Sequence, residues 1–281
     1  MTSDARDSRL ETWIGRTQVA VDIVTDRLVE RFLATTSPRR APAENPQSVP
    51  LGLHWCLAPP ATPTTELGVD GHPKKGGFLP PVPLPRRMWA GGSLTFLAPL
   101  SIGDQVTRSS RIAGIEMKTG RSGSLCFVRI EHEISNARGP AIRERQDLVY
   151  REAMVAGGRS PPVEPLPEPT FSDRGLADPV TLFRYSALTF NAHRIHYDRP
   201  YAVEVENYPD LVVHGPLQAT YLLHCAERAL GQPPCHFEFR AISPVSTMPE
   251  LPLCAAPVEN GLQLWTLSDA ATPGMIALAR K

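Results

Sequence analysis

Hydrophobic and polar positions follow two different periods along this chain, and the changes of period predict its elements. Val19, Ala20, Ile23, Val24, Leu28 and Phe32 recur at three- and four-residue spacing, with Asp22, Asp26, Arg27 and Glu30 between them. That spacing predicts an amphipathic helix over 17–32 with Thr17 as its N-cap. The short apolar run 51–57 reads as a buried strand. From 88 to 151 the period falls to two, predicting strands over 92–97, 105–117, 124–134 and 145–151. Lys118-Thr119-Gly120-Arg121-Ser122-Gly123 supplies a hairpin turn between the middle pair. Beyond the segment 181–188 the helical period returns at Leu217, Tyr221, Leu222, Cys225, Ala226 and Leu230. Gly231 then serves as C′, with Pro233-Pro234 just after it. Strands are predicted again over 236–242, 252–257 and 261–267.

A helix followed by several antiparallel strands, without βαβ alternation, is an α+β order. Between the two such units lie Gly157-Gly158 and Pro161, Pro162, Pro165, Pro167 and Pro169. That composition reads as a linker. The expected organisation is therefore a unit over 1–155, a proline-rich linker over 156–170 and a second unit over 171–281.

Composition narrows the function classes. Hydrophobic residues make up 42% of the 281 and charged ones 21%, enough to bury a globular core. The 29 basic and 29 acidic side chains cancel, which argues against nucleic acid or a membrane surface as the main partner. No apolar run approaches the ~18 residues a spanning helix needs. The first seven residues lack the apolar core of a secretion signal, so the cytoplasm is the expected location. The five cysteines are odd in number and contain no Cys-x-x-Cys, so they are expected to be reduced and mostly buried. Thirty prolines, roughly twice the ~5% usual share, predict a loop-rich chain.

The chemistry concentrates in one segment. Asn191-Ala192-His193-Arg194-Ile195-His196-Tyr197-Asp198 is followed by Leu211-Val212-Val213-His214-Gly215-Pro216. In a helical turn His193 and His196 would share a face. An imidazole moves protons near neutral pH, and a carboxamide can orient a water, so the set is able to bind and deprotonate one. Asp198 is a candidate to orient either histidine. Gly215-Pro216 opens a helix whose free N–H groups would polarise a thioester carbonyl and stabilise an enolate. His193-x-x-His196 also has the form of a metal half-site. With no third ligand at a telling spacing, no metal is expected.

This segment resembles the MaoC-like hydratases and dehydratases of the hot-dog fold. Their motif carries an Asp, an Asn two later, a His three after that, and later a His-Gly step. Asn191, His193, His196 and His214-Gly215 fall on those positions, so Asp becomes Asn and Asn becomes His. The phrases 187–198 and 211–219, with Asp70-Gly71-His72-Pro73, Gly76-Gly77-Phe78-Leu79-Pro80 and 85–92, are similar to the hydroxyacyl-thioester dehydratase type 2 branch. That branch includes mesaconyl-C4-CoA and itaconyl-CoA hydratases.

The resemblance implies a double hot dog, two halves each with a central helix wrapped by an antiparallel β-sheet. The first half lacks the catalytic motif and would shape the acyl pocket. The implied activity is hydration of a short branched enoyl-CoA bearing a carboxylate, with no cofactor beyond the coenzyme A of the substrate. His196 would be the base, Asn191 and His193 its helpers and Gly215 the oxyanion donor, with His214 beside the substrate. A homodimer is implied as well. Arg86 or Arg87 is a candidate for the substrate carboxylate, with Trp89 as an apolar wall. Arg194, with Lys118, Arg121 and Arg199, is a candidate for the coenzyme A phosphates. Tyr185, Tyr197 and Tyr201 read as packing residues, and Lys74-Lys75 as a solvated loop. The competing readings are a carrier-protein dehydratase of fatty-acid synthesis, a thioesterase on the same fold, and a non-catalytic acyl-CoA-binding module.

Overall fold

Thr25 sets the start of the first helix, and in doing so divides the predicted 17–32 element in two. In the computed structural model, which describes residues 9–37, 49–120, 123–152, 164–268 and 272–281, Thr17–Ile23 is a strand (β1) and Asp26–Thr36 a helix (α1). Thr25 is extended, with φ −91° and ψ 150°, and its side chain accepts from Leu28 N at 3.1 Å. The i, i+3, i+4 spacing of 17–32 concealed a period of two. Val19, Val21 and Ile23 are β-branched, alternate, and lie exposed on one face of an edge strand.

The first half continues with β2 (Arg86–Phe96), β3 (Gln105–Gly120), β4 (Gly123–Asn136) and β5 (Gly139–Arg151). The predicted strand at 51–57 is instead a 3-10 turn, Leu53–Cys56. It is entered through Gly52 at φ +87°, and a run this short and mostly apolar cannot distinguish a buried strand from a buried turn. The second half holds β6 (Phe171–Ala177), α2 (Pro179–Leu188), α3 (Gly215–Leu230), β7 (His236–Ala241), β8 (Met248–Val258), β9 (Gly261–Leu267) and β10 (Pro273–Arg280). β6 and β10 had no predicted counterpart.

The ten strands of the described residues form one antiparallel sheet in the order β1-β3-β4-β5-β2-β7-β10-β9-β8-β6. Each half has the same topology. Its first strand lies at the outer edge, its second at the centre, and the other three fill the space between. The halves join where β2 pairs with β7, from Gly91↔Arg240 to Thr95↔His236. Glycine is required at this seam. A Cβ on Gly92 would lie 2.2 Å from the Arg145 carbonyl oxygen, and one on Gly91 2.7 Å from that of Phe239.

The two central helices are unequal. α3 is buried continuously from Leu217 to Ala226 and is wrapped by the second half of the sheet. α1 is eleven residues long, and it lays Val29 and Phe32 against α2 and α3. The first half thus leaves room beneath its strands, and the loop 49–85 enters that space.

Candidate active site

The site is assembled at the end of α2 and the start of α3. Asp178 caps α2 by accepting from Val180 N and Thr181 N, and Pro179 occupies the first turn. The chain leaves the helix through Phe190, held at φ +50°. Asn191 N then donates to Ser186 O at 2.8 Å, and Asn191 Oδ1 accepts from His193 N at 3.0 Å. This commits the carboxamide oxygen to the backbone and leaves its NH₂ for a ligand.

A 3-10 turn, Arg194–His196, follows and buries His196. His196 Nδ1 lies 2.7 Å from the Val212 carbonyl oxygen, an acceptor only. Nδ1 must therefore carry the proton, and Nε2 carries the lone pair. The His196 ring stacks on His214 at 3.6 Å and 20°, and meets His193 edge-on at 5.3 Å. His214 Nε2 is 2.8 Å from Ser186 Oγ, while its Nδ1 is buried without a partner.

The first half extends this row. His72 lies 4.0 Å from His193 between ring centres, and its Nδ1 is 3.0 Å from Asp70 Oδ2. Gly71 makes the approach possible. It has φ +88°, and a Cβ there would lie 1.8 Å from Ala192 O. The Asp70 carbonyl accepts from Arg194 N at 2.9 Å, which pins the loop to the catalytic segment.

Burial governs the charge of these imidazoles. It holds His196 down at about 4. It does the same to His72, where the charge of Arg87 adds to the effect and Asp70 opposes it. His193 is held lower still by burial and by its histidine neighbours, and His214 well below the ordinary range by burial and His196. All four are neutral at neutral pH, so they act as proton acceptors or neutral donors. Asp70 resists the upward push of burial because the hydrogen bond and charge of His72 outweigh it, and its carboxyl lies below the usual range. The ligand atoms of Asp70, His72 and His193 come within 4.8 Å of one another, a grouping the spacing of the sequence did not suggest. Arg87 adds positive charge beside His72 and His193, which opposes a cation there.

Gly215 begins α3 with Pro216 next. A Cβ on Gly215 would lie 2.8 Å from Trp89 Cε3, so the indole rests against the helix N-terminus. Beside it is a cavity of about 170 Å³. Asn191, His214 and Pro216 line it from the second half, and Trp55, Trp89, His54, Arg108, Glu144 and Gln146 from the first. A larger cleft of about 1030 Å³ lies on the opposite face of the sheet. Arg145, Asp147 and Val149 of β5 line that cleft, alternating with Glu144 and Gln146 of the small cavity.

The structure brings Asn191, His193, His196, His214, Gly215 and Trp89 together, with His196 lying against His214 rather than on the cavity wall. Of the remaining candidates it brings Arg87 to the histidine row and commits Arg86, Arg194, Arg199 and Lys118 to acidic partners. Arg86 is 8% exposed and spent on Glu206, with Nε 3.1 Å from Oε2 and Nη2 donating to the main-chain oxygen at 2.7 Å. Its Nη1 is buried without a partner, but Glu206 already neutralises the guanidinium and Arg86 does not line the small cavity. Arg87 sits by the histidine row, among His72, Asp70 and Tyr150. Arg194 is committed to Asp198, to the Val69 carbonyl and to the Tyr201 ring. Asp198 accordingly serves Arg194 and the Tyr201 N–H, not a histidine. Arg199 pairs with Asp210, and Lys118 with Glu116 beside the large cleft. Arg121 lies outside the described residues. Lys75 is not merely solvated, since its Nζ donates to the Val82 and Leu84 carbonyls.

The residues that pattern reading missed are His72, His54, Arg108 and Glu144. Asp70-Gly71 marked a turn without saying what it docks against. His54 stood in an apparent strand. Glu144 and Arg108 look like ordinary charges until the face of each strand is known.

Comparison with known proteins bears on this geometry. The family model for hydroxyacyl-thioester dehydratase type 2 matches residues 52–247. Mesaconyl-C(4)-CoA hydratase of Chloroflexus aurantiacus is 43% identical over 254 residues, 90% of each chain. A solved MaoC-like dehydratase superposes with a TM-score of 0.70 at 13% identity, covering 97% of this chain and 99% of that one. A Mycobacterium tuberculosis protein described as a double hotdog fold gives 0.55 at 13% identity, with 95% of each covered.

Proposed function

Because the chain belongs to the hydroxyacyl-thioester dehydratase type 2 family, we propose that it is a hydro-lyase acting on a short branched enoyl-CoA with a free carboxylate. Mesaconyl-C4-CoA would be hydrated reversibly to citramalyl-CoA, and itaconyl-CoA would reach the same product once an α-proton is lost and the γ-carbon is protonated, which moves its double bond into conjugation with the thioester. The thioester carbonyl sits at the start of α3, where the Gly215 N–H and the helix dipole receive the enolate oxygen. Water that passes beyond the cavity wall, between Asn191 and His196, loses a proton to His196 Nε2, and its oxygen bonds to the β-carbon. The imidazolium then returns that proton to the α-carbon as the enolate collapses, so the elements of water are added and nothing else is consumed. Coenzyme A enters only as part of the substrate. His193 adjoins this pair as its partner or as the acid.

The observation that carries this reading is the tautomer of His196. The Val212 carbonyl fixes the proton on Nδ1 and thereby supplies a base at Nε2. The size of the cavity favours the proposal over a dehydratase of long fatty chains. At about 170 Å³, with charged residues in its wall, it suits a short polar acyl group better than a long fatty chain. A homodimer is part of the proposal by analogy with other hot-dog proteins. Among the described residues no helix is long and apolar enough to cross a membrane.

The test is loss of enoyl-thioester absorbance on mesaconyl-C4-CoA and crotonyl-CoA, and conversion of itaconyl-CoA to citramalyl-CoA tracked by chromatography, with a thiol reagent in parallel. Loss of absorbance without free thiol is expected, and His196→Ala should fold yet lose at least ~100-fold in turnover. Released thiol would make the protein a thioesterase. Wild-type rates in His196→Ala would remove His196 from the mechanism.

A further inference from the structure

The wall that the first half contributes to the small cavity contains two buried nitrogens without partners. Arg108 Nη1 donates to Leu57 O at 3.2 Å and Nη2 to Ala58 O at 2.6 Å. These carbonyls fix the guanidinium plane, and Nε remains buried and unpaired. His54 is 3% exposed, and its Nε2 is also unpaired. Glu144 Oε2 is the acid nearest to it, at 3.9 Å, too far for a hydrogen bond. Glu144 is held elsewhere, its Oε1 accepting from Trp55 Nε1 at 2.7 Å and Gln146 Nε2 at 2.8 Å.

Among the described residues lining this cavity, the buried side-chain atoms without partners are Arg108 Nε, His54 Nε2 and His214 Nδ1. All three are nitrogens. Leaving a buried polar atom unpaired is costly, and native structures rarely do so without a ligand or a water to satisfy it. A wall with spare nitrogens suits a ligand rich in acceptors.

We propose that Arg108 and His54 form the subsite for the free carboxylate of the acyl group. The inference rests on the proposed function and names its specificity determinant. In a mesaconyl-type substrate the carboxylate is borne by the β-carbon, the atom that water attacks. It must therefore lie beside the catalytic groups, and the same cavity holds Asn191 and His214 on one side and Arg108 and His54 on the other. Arg108 Nε donates to one carboxylate oxygen and His54 Nε2–H to the other, which sets His54 in the Nε2–H tautomer. Glu144 positions this wall through Trp55 and Gln146, and its charge weakens the subsite for a second anion. Of the two earlier candidates for this task, Arg86 is paired with Glu206 and Arg87 stands beside His72 and His193, and neither lines the cavity.

Calorimetric titration with freshly prepared succinyl-CoA and with butyryl-CoA, which are saturated and cannot be hydrated, tests the subsite without turnover. Wild type should bind succinyl-CoA at least tenfold more tightly. Arg108→Met should abolish that preference while leaving butyryl-CoA affinity within about twofold, and Glu144→Gln should strengthen succinyl-CoA binding alone. Equal wild-type affinity for the two ligands would overturn the proposal, even if Arg108→Met proved unstable. An equal loss of both ligands in a folded Arg108→Met would also overturn it, showing that Arg108 only supports the loop. If the preference holds but wild type hydrates no enoyl-CoA, the subsite stands and the proposed reaction fails.

Discussion

Acid should unfold this protein through its histidines, well above the range in which carboxylates titrate. His54, His72 and His196 each move from an ordinary 6.5 to about 4 in the folded chain, burial being the first cause in every case. Between those values an unfolded chain protonates each imidazole while the native state keeps it neutral. The unfolded state thus binds more protons, and stability falls as pH falls from 6.5 towards 4. Linkage over that window costs about 2 kcal/mol per histidine between pH 7.5 and 5, so roughly 6 kcal/mol if the three were independent. His72 and His196 share the row and titrate together, His54 stands apart from it, and about 4–6 kcal/mol is the expected loss from the three. His193 and His214 shift in the same direction and add to it. That is a large share of the ~5–15 kcal/mol typical of a domain. Urea unfolding at pH 7.5, 6 and 5, followed by fluorescence and circular dichroism, measures it. The midpoint should fall steeply while the slope of the transition stays constant. His196→Leu removes one group and should reduce the pH-dependent loss by about 2 kcal/mol. An unchanged midpoint between pH 7.5 and 5 would refute the argument, because it would mean that the row is protonated or open to water in the folded state.

Two further outcomes follow from close contacts. Gly71→Ala places a Cβ 1.8 Å from Ala192 O at a positive φ, so the loop must withdraw from the catalytic segment. Turnover should fall by at least ~10-fold with KM and kcat both affected, and normal kinetics would show that His72 has no part in the site. Arg86→Met strands the Glu206 carboxylate, which is 13% exposed, and should cost about 3 kcal/mol in urea unfolding, most of it recovered by Arg86→Met with Glu206→Leu. A selective loss on carboxylate-bearing substrates in that variant would instead return Arg86 to substrate binding.

Much of this protein was legible in order along the chain. The Asn191–Asp198 segment, the His214-Gly215-Pro216 start of α3 and the long strands of the first half carry local signals that their structure obeys. A helix cap, a proline at a first turn and a period of two are decided by neighbours in sequence, so sequence alone determines them. The resemblance to one branch of hot-dog enzymes rested on the same contiguous phrases. Where two periods overlapped, as in 17–32, local evidence was ambiguous. Pairing with β3 along seven residues settled β1, and that pairing involves residues some ninety positions away.

Tertiary structure alone decided which charges face which. Arg86 reads as a free cation in sequence and is neutralised by Glu206, 120 residues distant. His72 reads as part of a loop and lies against His193, because Gly71 lets two backbones approach. Glu144 and Arg145 are adjacent in sequence and stand on opposite faces of the sheet, one in the small cavity and the other in the large cleft. The physical reason is the same in each case. Backbone preferences are set by nearest neighbours, whereas burial, charge and proton affinity depend on groups that folding brings together from both halves of the chain.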